Sequence, residues 1–299
     1  MQPELHFFIG KGGVGKSTVS ATTAMHLSSL SQKVLLVSMD PAHNQRDLFE
    51  GAFSETPRPV NTFLRVKEVD TDFWIQNYLK ETRKALKTTY SYESAFNLDA
   101  CFNVLQFSPG LEEYALLLAF ESIIASSQGT AHIVFDMAPT ALSLRFLALP
   151  AVTLIWLEEL MKLRNKIIAK KEIITKIKFG KKQIETDKIR SRLDSLIERH
   201  QRLCHIFQSV KTRINLVVND DRMSFAEALR IKEKLQEINL RIHTVVVNKI
   251  MHGSIPETIA ETFNEQHITL FPLAKDCLMG YTAIVNYVIA NPASFQGNA

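Results

Sequence analysis

The 299-residue sequence predicts an α/β fold in which a mainly parallel sheet is covered by helices on both faces. Continuously apolar segments, typical of buried strands, alternate with stretches of helical periodicity, as in parallel sheets. Four glycines fall within six positions, from Gly10 to Gly15, directly after the first predicted strand. Polar residues follow most of the other predicted strands. We therefore expect these residues to meet at the carboxyl edge of the sheet, where ligands bind.

The strands and helices follow from this alternation. The predicted strands are Leu5–Ile9, Lys33–Ser38, Ala131–Phe135, Ile214–Val218, Ile242–Val247 and Ile268–Phe271. Helices are predicted from the glycine cluster to about Leu30 and near 72–88, 111–127, 224–238 and 256–266. The segment 151–212 breaks the alternation and predicts two or three further helices. We expect one domain spanning 1–299, with a helical subdomain inserted from about 70–128 and 151–212.

Composition narrows the class of protein. Apolar residues make up 46% and charged residues 22% of the chain, which argues against disorder and fibrous repeats. The balance of 35 basic and 31 acidic residues favours neither nucleic acid nor lipid as a partner. No uninterrupted apolar stretch approaches the ~18 residues that span a bilayer, because Pro150 and Thr153 divide the longest one. Without a signal-peptide pattern or clustered cysteines, the sequence predicts a reduced, cytoplasmic protein.

The glycine cluster has the pattern of a Walker A phosphate loop. The order strand, glycine loop, helix is the context that this motif requires. Backbone N–H groups and the helix N-terminus would bind the phosphates of ATP, Lys16 would neutralise them and Ser17 would hold Mg²⁺. A plain glycine turn between strand and helix is the alternative. The candidate nucleotide-binding residues here are Gly10, Lys11, Gly12, Gly13, Val14, Gly15, Lys16, Ser17 and Thr18.

Two aspartates follow buried strands beside this loop. Asp40 and Asp136 stand at strand ends that the predicted sheet brings close to a magnesium ion held by Ser17. Phosphoryl transfer needs charge neutralisation and an aligned nucleophile, which such a pair supplies. Either aspartate alone is equally typical of a helix N-cap or a turn.

Longer motifs carry a family resemblance. They are DPAHN at 40–44, SPGLEE at 108–113, DMAPTALSLRFLALP at 136–150, VVVNK at 245–249 and PLAKDCLMG at 272–280. Together with KGGVGKST at 11–18, they make the chain resemble the ArsA-type ATPases along nearly its whole length. That family includes the arsenite-pump ATPase and the guided-entry factor that targets tail-anchored membrane proteins.

The resemblance implies roles for the residues around the phosphates. Lys11 looks like the family's additional lysine, which reaches the phosphates of the partner subunit across a dimer interface. Asp40 resembles the switch I aspartate that orients the attacking water, and Asn44 the asparagine beside the γ-phosphate. Asp136 is similar to the Walker B aspartate that holds Mg²⁺ through water. The implied catalytic residues are Lys11, Lys16, Asp40 and Asn44, and the implied metal site consists of Ser17, Asp40 and Asp136.

The resemblance also implies a base-binding site. Asn248 would hydrogen-bond the adenine, and Pro272 and Leu273 would pack on it. Asp221 stands where the family has a glutamate that contacts the base or ribose, and the shorter side chain weakens that contact.

The sequence departs from the family in two respects. Cys101, Cys204 and Cys277 lie in separate segments, which argues against the metalloid site of the pump, and the absence of cysteine from Asn248 to Phe271 predicts no structural zinc. In switch II, Ala141 and Leu142 replace the family's glycine and histidine, which implies a stiffer switch.

Three functions follow from these observations. The leading hypothesis is an ATP-hydrolysing homodimer that binds a hydrophobic client helix or a membrane protein. The apolar faces at 111–124 and 184–207 are either part of a client-binding groove or part of the protein core. The alternatives are the motor of an arsenite-efflux pump and a positioning ATPase like ParA and MinD, although nucleic acid is not an expected partner. From Glu158 to Arg202, fourteen basic and seven acidic residues form either a solvated helical face or a basic rim.

Overall fold

A computed structural model describes residues 2–42, 44–89, 105, 108–179, 187–251 and 253–295. Its strands are β1 Glu4–Ile9, β2 Val34–Ser38, β3 Arg58–Pro59, β4 Leu64–Glu68, β5 His132–Asp136, β6 Thr212–Asn219, β7 Thr244–Ile250 and β8 His267–Pro272. Its helices are α1 Lys16–Ser29, α2 Gln45–Phe49, α3 Thr71–Thr89, α4 Leu111–Ser126, α5 Thr140–Phe179, α6 Lys188–Phe207, α7 Arg222–Glu237, α8 Glu257–Thr262 and α9 Tyr281–Ala290, followed by a 3₁₀ turn, Pro292–Phe295.

The strands of the described chain form one sheet in the order β3-β4-β2-β5-β1-β6-β7-β8. All neighbouring pairs are parallel except β3 with β4. Every residue of β2 and β5 is buried, which requires cover on both faces of the sheet. The predicted fold class is confirmed.

An aromatic cluster forms the core around β1, the strand that leads into the phosphate loop. Phe7 is fully buried, and its ring stacks on Phe135 with centroids 4.7 Å apart. Phe120 of α4 and Phe146 of α5 pack against Phe7 at 6.0 and 6.4 Å. Aromatic packing of this kind adds about 0.5–1.5 kcal/mol per pair beyond simple burial. The cluster therefore fixes the position of β1 between its neighbours.

Strand β4 was missed by the sequence analysis because it is not a continuous apolar run. Lys67 and Glu68 are buried, although charged side chains rarely are unless paired. The Lys67 Nζ lies 2.6 Å from Glu55 Oε2, and this ion pair allows a lysine inside a buried strand. The sequence analysis expected buried strands to be purely apolar, so it did not assign a strand to a segment that contains Lys67 and Glu68.

The chain divides into two compact units, one of residues 1–146 and 210–299 and the other of Leu147–Ser209. The first unit contains the sheet together with α3 and α4, so the helices predicted within 70–128 belong with the sheet here. The second contains most of α5 and all of α6. The boundaries of an inserted helical subdomain stay a prediction.

Within the second unit, an ion pair connects the two helices. The Arg164 guanidinium donates two hydrogen bonds of 2.9 Å to the carboxylate of Asp187. Asp187 also caps the N-terminus of α6 by accepting from the backbone N–H groups of Ile189 and Arg190. One side chain thus begins α6 and ties it to α5.

Helix α5 continues through Pro150, where the sequence analysis placed an interruption. A proline ring is compatible with helical φ and removes one backbone donor, so a long helix can contain one. Within the described residues, Thr140–Lys170 is long and apolar enough to cross a membrane by length and composition alone. Core helices of soluble proteins meet the same two criteria.

Candidate active site

The phosphate loop connects the end of β1 to the start of α1, and two of its glycines are required by geometry. A Cβ at Gly10 would collide with the carbonyl oxygen of Val217 on β6. Gly15 has a φ of 93°, and a Cβ there would collide with the side-chain amide of Asn248. The loop is therefore wedged between two neighbouring strands, in a backbone conformation that favours glycine. This explains the glycine spacing from which the sequence analysis predicted the loop.

Two lysines of the loop differ in burial. Lys16 begins α1 and is buried, and its Nζ lies 3.4 Å from the backbone oxygen of Lys11. Burial lowers the pKa of Lys16, while the nearby Asp136 and Asp40 raise it. Lys11 is half-buried at the start of the loop. Lys16 therefore places one positive charge beside the carboxylates of Asp40 and Asp136, and Lys11 places a second at the start of the loop.

Switch I contacts the loop through two consecutive amides. Asn44 directly precedes α2 without capping it through its side chain, and its Nδ2 lies 3.3 Å from the Ser17 hydroxyl. Gln45 is fully buried and donates a hydrogen bond of 2.8 Å to Asp136 Oδ2. Its Nε2 also lies 3.4 Å from the backbone oxygen of Ser17. These contacts bring together Ser17, Asn44 and Asp136, three of the candidate site residues.

Asp136 ends β5 in a fully buried position. Desolvation raises its pKa to about 6, although Gln45, Ser17 and Lys16 oppose this shift. Its Oδ1 is buried and has no hydrogen-bond partner among the described residues. A buried, unpartnered carboxylate oxygen beside a serine hydroxyl offers the hard oxygen ligands that Mg²⁺ prefers. The residues present therefore fit a magnesium ion.

Asp40 follows β2, two strands from β1. It is buried, and its Oδ1 accepts a hydrogen bond of 3.0 Å from the backbone N–H of Ala42. This turn orients the carboxylate, which interacts electrostatically with both Lys16 and Asp136. Asp40 therefore makes the turn contact that the sequence analysis gave as its alternative, and its role beside the phosphates stays a prediction.

The end of β7 anchors the opposite side of the loop. Asn248 is buried, and its Nδ2 donates a hydrogen bond of 2.8 Å to the backbone oxygen of Val14. Lys249 has a φ of 58°, and its Nζ donates to the backbone oxygen of Gly13 at 3.0 Å. The candidate base-binding asparagine is thus also a structural support of the phosphate loop.

The other candidate base-site residues lie at the same edge of the sheet. Pro272 ends β8 and accepts a hydrogen bond from the Tyr287 hydroxyl, while the side chain of Leu273 is half-exposed. Asp221 caps α7 by accepting from the backbone N–H of Ser224 at 2.8 Å. The sequence analysis did not anticipate this capping role of Asp221, and a contact with ribose stays a prediction. Thr18 lies on the first turn of α1.

Sequence reasoning missed Gln45 and Lys249, which both contact the loop or its aspartate. Gln45 directly follows the DPAHN motif, and Lys249 is the last residue of the VVVNK motif but received no role there, so their positions at these motifs were the available signal. Ala141 and Leu142, the altered switch II residues, lie in the first turn of α5, where Leu142 N–H donates to Pro139 at 3.1 Å. Helix α5 thus begins after a short connection from β5, the strand that ends in Asp136.

A parallel sheet, a glycine loop wedged at its carboxyl edge, and a lysine facing two carboxylates define a P-loop nucleotide-binding protein. The family model described as the anion-transporting ATPase matches residues 4–288. The chain belongs to this family, the ArsA-type ATPases, and is an ATPase.

Individual relatives extend this result. The protein named "Putative arsenical pump-driving ATPase 2" of Aquifex aeolicus is 30% identical over 82% of this chain and 79% of its own length. An ATPase ASNA1 homolog of Plasmodium falciparum is 30% identical, and ATPase GET3C of Arabidopsis thaliana is 29% identical. These two alignments cover 82% and 85% of this chain. The chain spans 62% of the Plasmodium protein and 68% of the Arabidopsis protein.

Proposed function

We propose that this protein is a cytoplasmic, ATP-hydrolysing homodimer that binds a hydrophobic helix of a client protein. The observation that carries the proposal is an exposed apolar face on α5, together with a complete set of phosphate-site residues in the same chain. ATP supplies the energy and the apolar face supplies the binding surface.

At the phosphate site, each residue has a distinct role. Lys16 neutralises the β- and γ-phosphates, and the backbone N–H groups of the glycine loop hold them. Ser17 and Asp136 would hold Mg²⁺, which would neutralise charge on the phosphates. Asp40, oriented by its turn, aligns the attacking water, and Asn44 lies beside the γ-phosphate. Gln45 fixes the Asp136 carboxylate through its 2.8 Å hydrogen bond.

The dimer is supported by Lys11. It resembles the family's lysine that acts across the subunit interface, and its position at the start of the loop leaves its side chain half-buried. Its side chain is therefore available to a second copy at the carboxyl edge of the sheet. ATP then lies between two copies of the chain.

The adenine and ribose of ATP bind at the base site. Asn248 hydrogen-bonds the adenine while Pro272 and the half-exposed Leu273 pack on it. Asp221 contacts the ribose with the carboxylate oxygen that its N-cap leaves available. These roles rest on the family resemblance and on the common location of the residues at one edge of the sheet.

The client surface is an apolar face of α5 whose residues recur at intervals of one to four and follow one side of the helix. We define this α5 face as Val152, Ile155, Trp156, Leu160, Leu163 and Ile167, all of which are exposed. Ile155 is 64% and Trp156 67% exposed, far more than an apolar core tolerates. The excess of basic residues from Glu158 to Arg202 suits a client helix flanked by acidic residues.

The test is binding of a fluorescent apolar helical peptide with acidic flanks, measured in ATP and Mg²⁺ with the Asp40→Asn protein, which should bind but not hydrolyse ATP. We expect Ile155→Asp to weaken peptide binding about tenfold, by unfavourable burial of a charge, and rising salt to weaken binding further. Ile289→Asp is the matched control, because Ile289 is 72% exposed on α9. Equal binding by the two variants would contradict the client surface.

A second candidate function is the motor of an anion-export complex. The family description and the name of the Aquifex relative favour it. It predicts that arsenite stimulates ATP turnover and that replacing Cys101, Cys204 and Cys277 by serine abolishes the stimulation. Turnover that does not respond to arsenite excludes this function and leaves the client proposal intact.

A further inference from the structure

A group of ligand-type side chains lies at the amino end of the sheet, at the opposite end of β1 from the phosphate loop. Glu4 and His6 are two residues apart on β1, so they project to the same face of the strand. His132 begins β5 and pairs with Glu4 in the parallel register. The topology of two neighbouring strands therefore brings these three side chains together.

Their donor atoms lie close to one another. His6 Nε2 and His132 Nδ1 share a hydrogen bond of 3.1 Å, which a bound metal ion would replace, and Glu4 Oε2 is 4.0 Å from the same His132 nitrogen. One donor atom from each residue falls within 4.8 Å of the other two. Two nitrogens bound to one tetrahedral zinc ion lie about 3.3 Å apart, because zinc–nitrogen bonds are about 2.0–2.1 Å long. The His6–His132 separation is close to that spacing.

The chemical state of the histidines also suits a metal. Burial, followed by the charges of His132 and Arg213, lowers the pKa of His6 to about 3, and burial lowers the pKa of His132. A lowered pKa favours the neutral imidazole, which is the form that binds metals. His6 is fully buried, and Glu4 Oε2 accepts no hydrogen bond from the described residues, although the Arg213 guanidinium lies 3.5 Å from it.

We propose that Glu4, His6 and His132 bind a divalent transition-metal ion of the zinc class. Two imidazole nitrogens and one carboxylate oxygen form a typical ligand set for such an ion. The Glu4 side chain is 35% exposed, so the ion reaches the site from that side and keeps a water as its fourth ligand. The site is separate from the cysteine-bound zinc that the sequence analysis did not expect, and it does not depend on the nucleotide function.

Arg213 opposes the ion and provides a sharp test. Its guanidinium lies 3.5 Å from Glu4 Oε2 and lowers the pKa of both histidines. A cation at the site must compete with this positive charge for the carboxylate. Replacing the arginine by a neutral residue should therefore strengthen metal binding, whereas loss of a merely structural ion pair would not.

The experiment titrates Co²⁺ into untagged, nucleotide-free protein with all three cysteines changed to serine. Tetrahedral nitrogen-ligated cobalt absorbs visible light strongly, whereas the oxygen ligands at the phosphate loop give weakly absorbing complexes. We expect one equivalent to bind and Zn²⁺ to displace it. Glu4→Gln and His132→Gln should each lower affinity about 100-fold, and Arg213→Gln should raise it about tenfold.

His267→Gln, which changes an exposed histidine at the start of β8, is the matched control and should leave the affinity unchanged. In parallel, Zn²⁺ should raise the unfolding temperature of the parent protein but not of Glu4→Gln. The proposal is overturned if no strong cobalt band develops at micromolar metal. Equal affinities of the parent, Glu4→Gln and His132→Gln proteins would overturn it as well.

Discussion

The carboxyl edge of the sheet buries polar side chains, whereas the helical unit Leu147–Ser209 exposes large apolar ones. At the sheet edge, polar groups are buried and mostly hydrogen-bonded, as Gln45 is to Asp136 and Asn248 is to Val14. On α5, large apolar side chains such as Trp156 are exposed instead. A buried polar group and an exposed apolar face both cost stability unless a ligand or partner completes them. The comparison supports the two surfaces that we propose, one for the nucleotide and one for a client helix.

The largest effect should come from Asp40, the carboxylate that we propose aligns the attacking water. Asp40→Asn removes the charge that aligns the attacking water, so we expect ATP turnover to fall about 10²–10⁴-fold while ATP still binds. Steady-state phosphate release and nucleotide titration measure the two quantities. Asp47→Asn, an exposed change on the neighbouring α2, should leave turnover unchanged. Undiminished turnover in Asp40→Asn would remove this residue from the proposed mechanism.

The next largest effect concerns the core that supports the loop. Phe7→Ala leaves a cavity in the aromatic cluster and should lower the free energy of unfolding by about 3–5 kcal/mol. Phe73→Ala, at a 46% exposed position on α3, should cost less than about 1 kcal/mol. Urea denaturation followed by circular dichroism compares the two variants. Similar losses for both would mean that the β1 cluster is not the stabilising core.

A smaller effect is expected from the amide that switch I inserts beside Asp136. Gln45→Leu keeps the volume but removes the hydrogen bond, so the Mg²⁺ concentration needed for half-maximal turnover should rise about 10–100-fold. Arg46→Met, at the next and exposed position, is the control. An unchanged magnesium requirement in Gln45→Leu would show that the 2.8 Å contact does not position the carboxylate.

His6 should make the folded protein less stable at acidic pH. Its pKa is about 3 in the folded protein and about 6.5 in the unfolded chain, so the unfolded state binds more protons between these values. The contribution of His6 to the free energy of unfolding is therefore fully present above pH 6.5. On acidification below that pH, this contribution falls by about 1.4 kcal/mol per pH unit. His6→Gln should flatten that part of the slope in metal-free protein. The same slope in both proteins would contradict a neutral, buried His6.

The smallest effect is predicted on the exposed face of α5. Ile155→Asp should change the free energy of unfolding by no more than about 0.5 kcal/mol and leave basal ATP turnover unchanged. Thermal unfolding and phosphate release test this directly. A loss comparable with that of Phe7→Ala would instead make the α5 face part of a core and would weaken the contrast between the two regions.

These two regions also differ in how far the sequence predicts them. The phosphate loop was predictable because its glycines are required by close contacts with Val217 and Asn248, which leave few alternatives. Apolar periodicity, by contrast, is the same for a buried and an exposed helix face. The sequence marked the face at 111–124 as either groove or core, and in the structure residues such as Leu117 and Phe120 are core. The exposed face lies on α5, which the sequence analysis did not select.

Individual polar residues were the hardest to anticipate. Gln45 acts through a residue 91 positions away in the chain, and no local pattern connects it to Asp136. Strand β4 was hidden because Lys67 depends on Glu55, twelve positions before it. Both cases involve tertiary pairing of polar groups, which composition and periodicity do not record. Family motifs recovered part of this information, since they placed Asn44 beside the loop.

The amide of Asn248 has a consequence for the choice of nucleotide. Because one N–H of its NH₂ group donates to the Val14 carbonyl, the orientation of the amide is fixed and its oxygen is held as an acceptor for a nucleobase. An oxygen accepts from the exocyclic amine of adenine but meets only another oxygen at the corresponding position of guanine. The contact that braces the loop would thereby make ATP preferred over GTP.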